Sequence, residues 1–155
     1  MKIVEVEVDQ LRPAPWNPRI HPDRATEKLI RSIESYGFTN PILAQSKTNL
    51  VIAGHARLKA AKMAGLKKVP VIYLDFDEAR AKGYAVADNR LQDETEWDVT
   101  LLQDLLVDLD EFTGFEPDEL KRLEEVLPGA IAEVEKGVRG PSGTEDECPK
   151  CGYRW

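Results

Sequence analysis

The sequence predicts a mixed α/β fold, in which a small sheet and its helices are followed by short acidic helices and a tail. Three observations predict it. Short β-type segments alternate with helical segments over roughly the first hundred residues. Beyond Trp97-Asp98 the apolar spacing is only helical. From about Glu133 to Glu147 the chain is rich in glycine, proline, serine and charge, which is typical of a linker.

The first elements are a strand and a helix separated by a proline-rich loop. Alternation over Ile3–Val8 predicts the strand. The prolines between Arg12 and Arg19 exclude both a helix and a central strand. Asp23 can cap a helix over 24–36, and Gly37 can end it.

A hairpin and a second helix follow. Apolar residues 41–44 and 50–53 flank the polar turn 47–49, which is typical of paired antiparallel strands. Gly54 then opens a helix over 55–64, and Gly65 stops it.

The next segment, 69–74, predicts a strand whose start lies at an edge or in a bulge because of Pro70. Asp77 can cap a helix from Glu78 to about Asn89. Asp98 caps the next helix, and Trp97 is a packing residue. That helix carries leucines at helical spacing, namely Leu101, Leu102, Leu105, Leu106 and Leu109.

We therefore divide the chain into four parts. Residues 1–98 form the α/β domain and residues 99–130 an acidic helical extension, in which Pro117 can start the second helix. Residues 131–147 are a linker, and residues 148–155 are a tail with two cysteines.

Charge is unevenly distributed along the chain. Residues 1–92 carry 15 basic and 10 acidic residues, a net +5, whereas the remaining residues carry 6 and 18, a net −12. An anionic ligand would be attracted to the basic part of the chain, residues 1–92. No apolar run approaches the ~20 residues of a membrane span, so we expect a soluble cytoplasmic protein of a bacterial or phage-infected cell.

The junction between the hairpin and the second helix is a candidate anion site. Unpaired amides at a helix N-terminus, together with the helix dipole, favour negative charge, and Gly54 allows close approach to the backbone. His55, Lys59 and Lys62 share a polar, solvated stripe, whereas Arg57 falls on the apolar arc. Its inward guanidinium requires an acidic partner such as Asp88, or a bound phosphate.

The motifs resemble the ParB N-terminal domain of the ParB/sulfiredoxin fold. Four elements occur in family order, and each is weak alone: Asn17-Pro18-Arg19; the spaced pattern from Leu29 to Ile42; Ile52-Ala53-Gly54-His55-Ala56-Arg57 with the alanine-rich helix after it; and Asp88-Asn89-Arg90-Leu91.

The resemblance implies a nucleoside triphosphate site, for CTP or ATP with magnesium. Gly54, His55 and Arg57 would line the phosphates, and Thr39 and Asn40 would lie beside the nucleotide.

The resemblance also implies roles for the last and first elements. Asp88 and Asn89 would be the catalytic pair, with Asp88 facing magnesium and Asn89 also contacting the nucleotide. Asn17 and Arg19 would close over the nucleotide as a lid or touch DNA.

The sequence departs from the family pattern in ways that bear on activity. Chromosome-segregation members carry Glu-Arg-Arg after the glycine, where this chain has His55-Ala56-Arg57, and the arginine of Glu-Asn-x-x-Arg is also absent here. Sulfiredoxins have a reactive cysteine in place of His55, so that activity is excluded. The variant is similar to ParB-like proteins of phages and mobile elements.

Three functions remain open at this stage. The first is a nucleotide-binding protein, with or without weak NTPase activity, that acts in phage or mobile-element DNA transactions. The second is a metal-dependent DNA nuclease, for which Asp88 is the acid available to activate water. The third is a non-catalytic adaptor for a DNA methyltransferase or another partner. The acidic helices after Trp97 make reading of a specific DNA site by this chain alone unexpected.

Cys148 and Cys151 form half of a zinc-knuckle pattern. A structural zinc requires four ligands, so one zinc could be shared by two chains of a homodimer. The alternatives are a tail that binds no metal, or a redox pair.

Overall fold

The computed structural model describes residues 1–107, 109, 111–116, 118–119 and 122. They form a five-stranded sheet with helices on both faces. The strands are β1 (Ile3–Glu7), β2 (Arg12–Pro13), β3 (Ile42–Gln45), β4 (Leu50–Ala53) and β5 (Lys68–Leu74). The helices are α1 (Asp23–Tyr36), α2 (His55–Met63), α3 (Glu78–Gln92) and α4 (Val99–Val107). Within these described residues, no helix is long and apolar enough to cross a membrane.

The sheet order is β1-β5-β3-β4-β2. β3 and β4 form the predicted antiparallel hairpin, and Asn49, at φ 56°, takes the left-handed conformation that its turn needs. β5 runs parallel to β3 and antiparallel to β1. The predicted mixed α/β class is confirmed.

Alternating side chains along the strands supply two cores. Val51 and Val71 point to one face, where α2 contributes Leu58 and Ala61. The adjacent positions Ile52 and Ile72 point to the opposite face, towards α3. α1 packs on α2 and so lies one layer further from the sheet.

One local prediction is corrected, and the exclusion of a central strand from the proline-rich loop holds. Asp23 does not cap α1, because the cap position is Pro22 and the Asp23 carboxylate accepts a hydrogen bond from Lys59 at 2.8 Å instead. The proline-rich loop begins with a two-residue strand, β2, that pairs with β4 at the edge of the sheet. An edge strand tolerates Pro13 because its outer side needs no ladder hydrogen bond.

Other local predictions are confirmed. Pro70 lies in the part of β5 that pairs with β1, before the β3 pairing begins at Val71, so the strand starts at a local edge. The Asp77 side chain accepts a hydrogen bond from the Arg80 amide at 2.8 Å, and Asp98 accepts one from the Leu101 amide at 3.0 Å.

The helix α4 exists as predicted, but its leucines do not share one buried face. Leu102 is 8% exposed, whereas Leu101 and Leu105 are 57% and 55% exposed. The Trp97 ring makes an edge contact with Phe115, at 5.8 Å between centroids, but the residue is 69% exposed, so its packing is only partial. The predicted helix after Pro117, the linker and the tail lie largely or wholly outside the described residues.

Candidate anion-binding site

The site begins at the junction of β4 and α2. Gly54 is the N-cap of α2 and has φ 94°, a conformation that glycine adopts without strain. A Cβ atom there would lie 3.4 Å from Ile42 Cγ1 and 3.5 Å from Ile42 Cα. The first amides of α2 have no partner within the helix, so this junction presents hydrogen-bond donors and the positive end of a dipole.

Arg57 lies over this junction. Its Nη1 atom is 3.6 Å from the position that a Gly54 Cβ would take. The side chain is half-buried, and burial lowers the pKa of its guanidinium, while the nearby Asp88 carboxylate opposes that shift. Among the described residues it forms neither a hydrogen bond nor an ion pair, although Asp88 is the acidic partner that the sequence suggested. A guanidinium in this state is set to receive an anion.

The ring of His55 is directed into the protein, so its predicted place on a solvated stripe is wrong. Its Nε2 accepts a hydrogen bond from the Ala14 amide at 3.3 Å. Burial, with a smaller effect of His21, lowers the pKa of His55 to about 4. The ring is therefore neutral at physiological pH, and its hydrogen bond joins the loop after β2 to the start of α2.

Asp88 and Asn89 are half-buried on α3, which packs across β4. Asn89 Nδ2 donates to the Ala85 carbonyl at 2.7 Å, within its own helix. Burial and then the Asp88 carboxylate raise the pKa of Tyr84. The charge of Asp88 acts to raise the pKa of Arg57, so the two side chains lie near each other. The motif that begins at Asp88 therefore lies close to the motif that contains Gly54 and Arg57.

Thr39 and Asn40 are exposed in the loop between α1 and β3. This loop leads directly into Ile42, whose backbone lies against Gly54. Thr39 and Asn40 thus lie three and two positions before Ile42, the first residue of the strand that borders the junction.

Asn17 and Arg19 belong to the loop that follows β2. Asn17 Oδ1 accepts from the Arg19 amide at 3.3 Å, which fixes a local turn. Arg19 donates twice to Asp93, at 2.8 and 2.9 Å, at the C-terminal end of α3. The loop is thus tied to the helix that carries Asp88.

Sequence reasoning missed a contribution of Lys59. Its Nζ donates to the His21 carbonyl at 3.1 Å and to Asp23 at 2.8 Å, and so joins the same loop to α2. Burial, then Arg19 and Lys59, lower the pKa of His21. The position of Lys59, one turn after His55, was the available signal, but its partners lie far away in sequence.

Metal-ligating residues are sparse in this region. Within the described part of the chain, no three His, Cys, Asp or Glu side chains come together as a ready metal site. Cys148 and Cys151 lie outside the described residues. A cation here would have Asp88 as its acidic contact and would need other ligands from its own nucleotide.

Comparison with known proteins agrees with this architecture. The family model for the ParB N-terminal domain matches residues 1–90. The ParB-like nuclease domain-containing protein YnaK of Escherichia coli K12 is 40% identical over 74 residues, which are 48% of this chain and 84% of that protein. The probable chromosome-partitioning protein ParB of Campylobacter jejuni is 36% identical over 87 residues, 54% of this chain and 31% of that protein.

A similar fold occurs in the C-terminally truncated chromosome-partitioning protein ParB of Caulobacter crescentus, crystallised with CTP-gamma-S. The TM-score is 0.66 with 20% identity, and the match covers 88% of each chain. By contrast, the chain spans about a third of the length of the Campylobacter relative. The predicted resemblance is confirmed, and this chain belongs to the ParB N-terminal domain family.

Proposed function

We propose that this chain binds a nucleoside triphosphate, CTP or ATP, with magnesium at the N-terminus of α2, and that it acts in the DNA transactions of a phage or mobile element. The single observation that carries the proposal is Arg57, a half-buried guanidinium beside Gly54 that forms neither a hydrogen bond nor an ion pair among the described residues, although Asp88 is near enough to affect its pKa. Leaving such a group unpaired is costly, and a phosphate would offset that cost.

The junction suits phosphates because it offers two independent kinds of hydrogen-bond donor. The amides at the start of α2 supply neutral donors, and Arg57 supplies a charged one. His55 contributes through its backbone amide, since its ring already bonds Ala14. The missing family arginines leave one guanidinium for this task, so we expect weak hydrolysis.

Asp88 is the proposed metal contact. Magnesium keeps several waters and takes few protein ligands, which suits a site with one acid and a triphosphate. When bound, it would neutralise phosphate charge. Asn89 would use its Oδ1 atom, because Nδ2 donates to the Ala85 carbonyl. Thr39 and Asn40 would lie beside the base or sugar.

Two comparisons support this proposal. The structurally similar ParB of Caulobacter crescentus was crystallised with CTP-gamma-S. The Campylobacter relative is named a chromosome-partitioning protein, which supports a role on DNA in the cytoplasm. The adjoining negative extension favours DNA contact made together with another protein or a second copy of the chain.

Calorimetric titration with CTP, ATP, GTP and UTP, each with and without magnesium, tests the proposal. We expect one of them to bind and Arg57→Ala to abolish that binding in a folded protein. Arg12→Ala is the matched control, because Arg12 bonds the Thr48 carbonyl at the opposite end of β4. Absence of binding by the wild-type chain would refute the proposal.

A DNA nuclease is the second candidate function, and the name of the YnaK relative favours it. It would require a metal-activated water held by Asp88. Nicking of plasmid DNA in magnesium without nucleotide, lost in Asp88→Asn, would establish this activity in place of the first.

A non-catalytic adaptor is the third candidate. The absent family arginines favour it, with a DNA methyltransferase as one partner of suitable kind. For an adaptor we expect neither nucleotide binding nor nicking, together with retention of the folded domain.

The two tail cysteines carry a separate proposal. One zinc shared by Cys148 and Cys151 of two chains would complete four thiolate ligands in a homodimer. Metal analysis should then give near half a zinc per chain, and Cys148→Ser should release both zinc and dimer. A zinc-free monomer would leave a tail that binds no metal.

A further inference from the structure

One face of α1 is a basic stripe, formed by Arg24, Lys28 and Arg31. At about 100° per residue these positions fall within roughly 60° of the helix circumference. Their seven-residue separation extends the stripe over about 10 Å. The stripe lies on the side of α1 that does not pack on α2, since its side chains contact the acidic extension.

The stripe is occupied by a part of the same chain that lies about 85 to 94 residues further on. We call residues 111–116 and 118–119 the acidic segment. Asp118 pairs with Arg24 at 3.1 Å, Glu119 pairs with Lys28 at 2.5 Å, and Glu116 pairs with Arg31. Each cation of the stripe therefore has a carboxylate partner, and Asp118 also pairs with Arg122 at 2.8 Å.

Few other contacts hold the acidic segment on α1. The Tyr36 hydroxyl donates to the Phe112 carbonyl at 2.6 Å, and the Arg31 guanidinium lies 4.9 Å from the centre of the Phe112 ring. Two open cavities, of about 480 and 340 Å³, lie between the segment and α1, with Lys28 lining both. The segment is thus held mainly by charge and not by close apolar packing.

Such a contact is weak enough to be displaced. The pairs of Arg24 and Arg31 are exposed, and such pairs contribute little stability and are screened by salt, whereas the Lys28–Glu119 pair is partly buried. Duplex DNA presents one negative charge per about 1.7 Å of its axis, so a stripe of this length would face several phosphates at once. The three carboxylates of the acidic segment present a similar row of negative charges to the stripe.

We propose that the basic stripe of α1 is a docking surface for the phosphate backbone of duplex DNA, and that the acidic segment occupies it in cis as an intramolecular competitor. The chain would then bind DNA weakly until the segment is displaced. This surface is distinct from the junction at Gly54, and the proposal does not depend on nucleotide binding.

The test is fluorescence anisotropy of the full chain with a labelled mixed-sequence duplex of about 20 base pairs, at about 50 mM salt and without nucleotide. The variant Glu116→Gln/Asp118→Asn/Glu119→Gln should bind about tenfold tighter or more than the wild type. The slope of log affinity against log salt should steepen by about 2 to 3, because the three cations of the stripe become free to bind phosphates. Arg122, the other partner of Asp118, is released as well but lies outside the stripe. Adding Arg24→Gln, Lys28→Gln and Arg31→Gln should return the affinity to that of the wild type or below it.

The matched control is Asp75→Asn/Glu78→Gln/Glu94→Gln. It makes the same change of charge and also releases three surface cations, Lys47, Lys82 and Arg90, from their pairs. An equal increase in affinity in this control would mean a general effect of net charge and would overturn the proposal. So would unchanged DNA binding by a folded segment variant. If the triple variant does not fold, Glu119→Gln alone decides, with a slope change of about 1.

Discussion

The guanidinium of Arg57 folds back over Gly54, so that its Nη1 atom lies 3.6 Å from the position a Cβ atom would take there. We propose that a phosphate binds beside this contact, where the first amides of α2 and the guanidinium of Arg57 can both donate to it. Substitution of Gly54 should therefore affect both the stability of the backbone conformation and the binding of a ligand. Gly65, at the other end of the same helix, allows the effect on stability to be measured alone.

Gly54→Ala should reduce stability and abolish nucleotide binding. The φ of 94° costs an alanine about 1 to 2 kcal/mol, and the added methyl group would occupy the phosphate space. Gly65→Ala is the control, because Gly65 has φ 69° but open space around its Cβ position. It should lower the melting temperature similarly while calorimetry shows unchanged affinity. Equal loss of affinity in both variants would show that only folding was affected.

Asp88→Asn should separate metal-dependent from metal-independent binding. The amide keeps the size of the side chain but removes the charge that would attract magnesium. We expect titrations without magnesium to be little changed and the added affinity in magnesium to fall about tenfold or more, corresponding to about 1.4 kcal/mol. Asp75→Asn, an exposed acid outside the site, is the control. Identical magnesium dependence in Asp88→Asn and the wild type would exclude Asp88 as a metal contact.

Stability should fall as the pH is lowered from about 7 to about 5. Because burial lowers the pKa of His55 to about 4, the unfolded chain takes up a proton first, and the free energy of unfolding decreases through this range. After a discount for the partial exposure of the ring, we expect a loss of about 1 kcal/mol. The decrease should level off below the folded-state pKa.

Chemical denaturation at several pH values measures this effect. His55→Gln keeps an acceptor for the Ala14 amide and removes the titration, so its stability should vary less with pH. His21 contributes in the same direction, since its pKa is also lowered, and His21→Gln measures that part. An unchanged pH profile in His55→Gln would contradict the buried neutral ring.

Local signals predicted much of the fold. The Asp77 and Asp98 caps, the hairpin and the opening of α2 at Gly54 depend on neighbours within a few residues, which the sequence displays. The inward position of Arg57 followed from helical spacing in the same way. These features need no knowledge of the rest of the chain.

The features that were missed depend on distant partners. The ring of His55 is held by Ala14, 41 positions away, and Asp23 is drawn from its cap by Lys59, 36 positions away. The acidic segment pairs with α1 across still longer separations, so its charge indicated only a solvated extension. Local spacing contains no information about such pairings.

The bidentate pair between Arg19 and Asp93 supports a final prediction about the loop after β2. The pair ties this loop to the end of α3, and if the loop closes over the nucleotide, releasing it should weaken binding. Asp93→Asn should therefore raise the dissociation constant several-fold. Because the pair is exposed, we expect the free energy of unfolding to change little.

The exchanged variant Arg19→Asp/Asp93→Arg provides the decisive comparison. It restores an ion pair between the loop and α3 but moves the guanidinium to the helix. Recovery of affinity would mean that the tether is what matters, and the loop acts as a lid. Continued weak binding of nucleotide by a stable exchanged variant would assign the effect to Arg19 itself, as a direct contact with the anion. Unchanged affinity in Asp93→Asn would remove this loop from the nucleotide site.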